Sequence, residues 1–120
     1  MFTKDGVSSV MDSCYEAFYR LGGGCKEVEY VKVMAQELFG QGILFSRKKL
    51  ERVSRRELKS SEKRIEIVTD RDVVVVELLR DEVIKKSHTT QLIKHLKAHK
   101  KRYGVIAAFN ACGVQVLRVR

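Results

Sequence analysis

The sequence contains no proline and no tryptophan, and no apolar run nears the ~20 residues that a membrane-spanning helix needs. Without proline, nothing forces an element to break before its periodic pattern runs out. Only three cysteines occur, Cys14, Cys25 and Cys112, an odd number without CxxC spacing. That excludes a disulfide framework as the main source of stability and argues against a thiolate metal cluster, so reduced thiols are expected. The first ten residues, MFTKDGVSSV, lack the basic-then-apolar pattern of a secretory signal. The expected setting is therefore intracellular (cytoplasm or nucleus) or a virion, and not the secreted space.

Negative charge is also scarce. Against 24 Lys+Arg stand 15 Asp+Glu, a net charge of +9 with a pI near 9.7. The basic side chains gather in RKKLERVSRRELKSSEKR (47–64) and KHLKAHKKR (94–102). Such a surface attracts polyanions through a Coulomb field that is long-ranged until salt screens it. The candidate phosphate-contacting residues are Arg47, Lys48, Lys49, Arg55, Arg56, Lys94, Lys97, Lys100, Lys101 and Arg102. Contacts of that kind hold a nucleic-acid backbone, with DNA the expected form, and do not read its sequence. Solvated basic faces also occur on proteins that bind nothing anionic, and composition alone leaves both readings open.

The 120 residues, 44% of them hydrophobic and 32% charged, suit one soluble α/β domain spanning 1–120. Val7, Val10, Met11, Cys14, Ala17, Phe18 and Leu21 form a stripe of helical period behind a candidate N-cap, Asp5. The run GGG (22–24) ends that helix. A second helix is predicted over 27–39, with Val31, Met34, Ala35 and Leu38 inward, and GQG (40–42) stops it. A strand follows over 43–53, then a polar turn over 54–63. RIEIVT (64–69) and VVVVELL (73–79) read as the arms of a hairpin. After a polar lead-in near His88, a helix is predicted over 91–101 with Leu92 and Leu96 inward. GVIAAF (104–109) and VQVLRV (114–119) close the chain as strands. The order is ααβββαββ, a mixed sheet flanked by helices.

Chemistry-bearing clusters are few. The triple glycine follows a helix instead of a strand and lacks a following Lys-Ser/Thr, so it is a helix stop and not a phosphate cradle. His88, His95 and His99 have helical spacing, yet no acidic or thiol pair lies near them in sequence to complete a zinc site. Glu66 and Glu77 fall on the two arms of the hairpin. Two converging carboxylates are what Mg²⁺ takes from a protein, with waters and phosphate completing its octahedron. Two solvent-facing charges on an edge hairpin give the same spacing, and both readings stand.

Several motifs in order along residues 15–120 resemble the GxxExxY proteins, a branch of the PD-(D/E)XK nuclease superfamily. In LGGGCKEVEYVKVMAQEL (21–38), Gly24, Glu27 and Tyr30 fill the named positions, and GILF (42–45) is similar to the step after that helix. Arg64-Ile65-Glu66 stands where the family has Arg-Ala-Asp, and Glu77-Leu78-Leu79 where it has Glu-Leu-Lys. His88 with Gln91-Leu92-Ile93, and Leu96-Lys97-Ala98, look like the motifs of the next helix. GVIAAFN stands at the strand that ends in Asn-Phe-Gly.

The resemblance implies a PD-(D/E)XK nuclease-like core with the same ααβββαββ order. It also implies a Mg²⁺ site at Glu66 and Glu77, assistance from Glu27, and a lysine at position 79. Two of these positions depart from the pattern. Glu66 is one methylene longer than aspartate, and Leu79 cannot donate, titrate or contact phosphate. Strand residues alternate, so Arg80 points to the other face and cannot substitute. Losing such a charge stabiliser commonly lowers rate by on the order of 10²–10³. Within the superfamily the lysine can migrate, and Lys94 on the following helix is the candidate. The expectation is a catalytically degenerate domain that binds nucleic acid or serves as a scaffold, needing no cofactor. The alternatives are an active Mg²⁺-dependent endonuclease with a migrated lysine, and a structural or assembly protein such as a virion component, with a homodimer conceivable through an exposed sheet edge.

Overall fold

A computed structural model describes the backbone of residues 5–43, 45–49, 64–69 and 72–120, and the side chains of 5–43, 66–69 and 72–120. Its elements are α1 (Gly6–Leu21), α2 (Glu27–Gly40), β1 (Phe45–Lys49), β2 (Arg64–Thr69), β3 (Val73–Arg80), α3 (Lys86–Ala98), β4 (Tyr103–Asn110) and β5 (Gly113–Val119). Among the described residues, this is the ααβββαββ order read from the pattern. The strands form one five-stranded mixed sheet in chain order, β1-β2-β3-β4-β5. Among the described strands only β3 and β4 run parallel, because α3 carries the chain back between them; the other pairs are antiparallel.

Both faces of the sheet are covered, which explains the four consecutive valines. Val74, Val76 and Leu78 of β3 face α1 and α2, joining Val105, Ala107 and Phe109 of β4. From the helices come Val7, Val10, Cys14 and Ala17 of α1, and Tyr30, Val31, Val33, Met34 and Leu38 of α2. On the opposite face Val75 and Leu79 join Ile106, Ala108 and Val119 beneath Leu92 and Leu96 of α3. A strand walled on both sides has no polar face to alternate with, so it reads as a continuous apolar run.

Asp5 caps α1: its side chain accepts from the Ser8 amide at 2.7 Å, which holds the carboxyl below the usual aspartate range. Gly22 ends the helix at φ 71°.

The bounds of α3 and the start of β1 differ from the sequence reading by more than one residue. The third helix starts at Lys86 instead of 91, because the polar residues before Gln91 form its solvent-facing first turn and His88 Nδ1 accepts from the Lys85 amide at 2.9 Å. It stops at Ala98 and not at 101, because Lys100 turns left-handed at φ 53° and the Lys101 amide bonds back to the Leu96 carbonyl at 2.8 Å. β1 occupies only 45–49 of the strand expected over 43–53; 50–53 and the turn over 54–63, with Arg55 and Arg56, lie outside the described residues.

Candidate functional site

The hairpin register decides which carboxylates meet. Arg64 stands opposite Glu77, and Glu66 opposite Val75, so Glu66 and Glu77 are diagonal neighbours on one face. Such neighbours are roughly 7–8 Å apart, within reach of long side chains. The fold therefore brings these two together, on the face covered by α3. Glu77 is 2% exposed, and Leu79, next along that face, is 2% exposed within the apolar cluster. Where the resemblance implies a lysine ammonium there is a packed isobutyl group.

Glu66 is engaged as well. Lys101 Nζ lies 3.3 Å from its Oε2, and Lys48 is the residue opposite it in the β1–β2 register. Lys94 stands exposed on α3, so of the two lysines it is Lys101, after the helix, that reaches a carboxylate of the pair. Sequence reasoning missed this because it depends on the helix ending at Ala98 and on the left-handed turn at Lys100.

Glu27 is not brought to this pair. Arg80 points to the α1–α2 face, as strand alternation requires, and there its Nε lies 2.5 Å from Glu27 Oε1 while its Nη1 donates to the Cys25 carbonyl at 3.1 Å. The sheet thus separates Glu27 from Glu66 and Glu77. Locally, the Lys26 amide donates to Glu29 Oε1 at 3.2 Å, so Glu29 takes the capping role at the start of α2.

The other residues of the GxxExxY-like stretch form a clamp. Tyr30 is fully buried and stacks on Phe109 with centroids 3.9 Å apart and planes 10° from parallel. Its hydroxyl donates to the Gly22 carbonyl at 2.8 Å and accepts from the Cys25 amide at 3.3 Å; burial pushes its pKa up. Gly24 takes φ 86°, and a Cβ on Gly23 would stand 2.7 Å from the Asn110 carbonyl oxygen. These contacts fasten the α1–α2 loop to the C-terminal ends of β3 and β4. Arg80 was the missed member; its place on the helix-covered face follows from the period of two.

The remaining candidates are dispersed. His88 is occupied at the N-terminus of α3 and lies 3.7 Å from Glu82, while the His95 and His99 rings sit 4.4 Å apart. Gln91 is exposed. Arg47, Lys48 and Lys49 lie on β1, and Arg64 on β2. Lys94, Lys97, Lys100 and Arg102 are exposed, and Lys101 half-buried.

A protein-held Mg²⁺ keeps several waters and takes one or two carboxylates plus phosphate oxygens. Here one carboxylate is matched by Lys101, and the other is buried beside leucine. Among the described residues, no three of His, Cys, Asp and Glu are grouped so as to hold a metal ion. As described, these side chains do not fit a hydrated Mg²⁺. Nor, among the described residues, is any helix long and apolar enough to cross a membrane.

The family model of the PD-(D/E)XK nuclease superfamily matches residues 4–119. No curated protein and no solved structure gives a significant match.

Proposed function

The chain belongs to the PD-(D/E)XK nuclease superfamily, and from that premise we propose that it is a nucleic-acid-binding or scaffolding member whose nuclease centre is catalytically degenerate. The observation that carries this reading is Leu79, buried to 2% beside Glu77. A rotamer change of a surface side chain would not turn this arrangement into a working centre, because the leucine is part of the core under α3. The packing of Tyr30 and the Glu27–Arg80 pair give these motif residues a structural role that requires no chemistry. The net charge of +9 supplies the attraction to nucleic acid, through phosphate contacts.

A second reading, an active Mg²⁺-dependent nuclease with a migrated lysine, is favoured by one observation: Lys101 stands 3.3 Å from Glu66. In that reading Lys101, and not Lys94, is the migrated residue. The ion pair also has a plain structural account, since it neutralises a carboxylate only 14% exposed.

The binding claim is tested by titrating a labelled duplex at several salt concentrations. The expected result is measurable binding at ~50 mM salt that weakens steeply as salt rises. No binding at that salt overturns the nucleic-acid reading.

A further inference from the structure

Between the β2–β3 turn and the α3–β4 turn lies a cleft of about 350 Å³, lined by Thr69 and Asp72 on one side and by Lys100 to Tyr103 on the other. It is at the N-terminal end of β3. Its rim residue Val73 precedes Glu77 by four positions, about 13 Å along a strand, while Lys101 of its lining reaches Glu66, so the cleft adjoins the Glu66 end of the carboxylate pair and lies away from Glu77.

The charges around it are already sorted. Asp72 Oδ2 accepts from the Gly6 amide at 2.7 Å, which commits that carboxylate to the first turn of α1. Thr69 is tied to Asp72 by its hydroxyl, and Lys101 to Glu66. Lys100 and Arg102 have no carboxylate partner among the described residues. Both are exposed at the rim.

Cations after a helix C-terminus complement its dipole, and that alone would account for a basic turn. Two features go beyond it. Lys100 occupies a left-handed position, φ 53°, where glycine is cheaper, so its side chain is kept at a conformational cost. Arg102 lies over the Tyr103 ring at 5.5 Å, with Arg118 over the same ring at 5.4 Å. A guanidinium held against an aromatic ring keeps its in-plane N–H donors available for bidentate contact with phosphate oxygens.

We propose that this cleft is a phosphate-binding site for a nucleic-acid backbone, with Lys100 and Arg102 as the contacting cations and Tyr103 as a positioning residue that orients Arg102. The proposal rests on the nucleic-acid reading above and gives it a location, with Lys100 and Arg102 flanking the Lys101 that pairs with Glu66.

The test compares duplex affinity and its salt dependence, by fluorescence anisotropy, for the wild type, a Lys100→Gly/Arg102→Gln double variant and a Lys94→Gln/Lys97→Gln double variant on the exposed face of α3. The cleft variant is expected to lose on the order of tenfold or more in affinity at ~50 mM salt, and its log–log salt slope to become shallower by about two. The α3 variant is expected to lose less. Lys100→Gly alone is expected to raise Tm while weakening binding, a combination that a purely structural role does not produce. Tyr103→Phe, which keeps the ring, should bind like the wild type, and Tyr103→Leu should bind more weakly. A wild type that binds DNA, with a cleft variant that matches it or loses no more than the α3 variant, overturns the proposal and leaves the nucleic-acid reading intact. A wild type that binds no nucleic acid overturns both.

Discussion

At position 79 the sheet presents a leucine within an apolar cluster that includes Leu92, Ile106 and Ala108, and a lysine placed there would be buried among these side chains. Leu79→Lys therefore tests whether the remnant centre is one residue short of a working one. The expected outcome is destabilisation by about 3 kcal/mol or more in urea unfolding, with no gain of nuclease activity. Cleavage by a stably folded Leu79→Lys protein would mean that the rest of the site is intact. A second residue-scale prediction concerns Cys14. Complete burial pushes its thiol from the ordinary 9.0 up to about 12. Below pH 9 the thiol is neutral whether the chain is folded or unfolded, so this group leaves stability untouched. From pH 9 towards 12 the unfolded thiol ionises and the folded one does not, and stability falls by about 1.4 kcal/mol per pH unit. Unfolding at pH 8 and pH 10.5 should therefore show a gap between wild type and Cys14→Ala that narrows by about 2 kcal/mol. At neutral pH, Cys112, which is exposed, should react with a thiol reagent far faster than Cys14.

Among the elements, the α1–α2 loop and the ends of β3 and β4 behave as one joint. Tyr30→Phe removes the donor to Gly22 and the acceptor for Cys25 and should lower stability by about 1 kcal/mol, leaving duplex affinity unchanged. Gly23→Ala drives a methyl into the Asn110 carbonyl and should cost about 1–3 kcal/mol. A Glu27/Arg80 double-mutant cycle should give a coupling no larger than about 1 kcal/mol, because both side chains are about a third exposed. A larger loss of DNA binding than of stability in any of these variants would contradict a structural role for the clamp. At this scale the sequence was informative where one physical rule governs. The helical stripe behind Asp5 and the glycine stop at 22 are local, and α1 followed them. So did the period of two that sends Arg80 away from Leu79. It was uninformative where a contact depends on two distant segments. Lys101 meets Glu66 only because α3 ends early and β4 runs parallel to β3, and no spacing announces either. The separation of Glu27 from Glu77 is likewise a matter of which side of the sheet α2 occupies.

For the whole molecule, the chain order of the described elements was legible because each strand and helix carries its own period, while the sheet order and the parallel β3–β4 pair follow from how α3 crosses over. The net charge of +9 belongs to this scale too: it draws polyanions without specifying where they rest. A single gel tests the central claim, that this nuclease fold binds nucleic acid without cutting it. Plasmid DNA is incubated with the purified protein and Mg²⁺ or Mn²⁺ at ~50 mM salt, then run before and after protease treatment. The account predicts retarded plasmid before protease and intact supercoiled plasmid after it. Nicked or linear plasmid, produced by the wild type and abolished by Glu77→Ala, would contradict it.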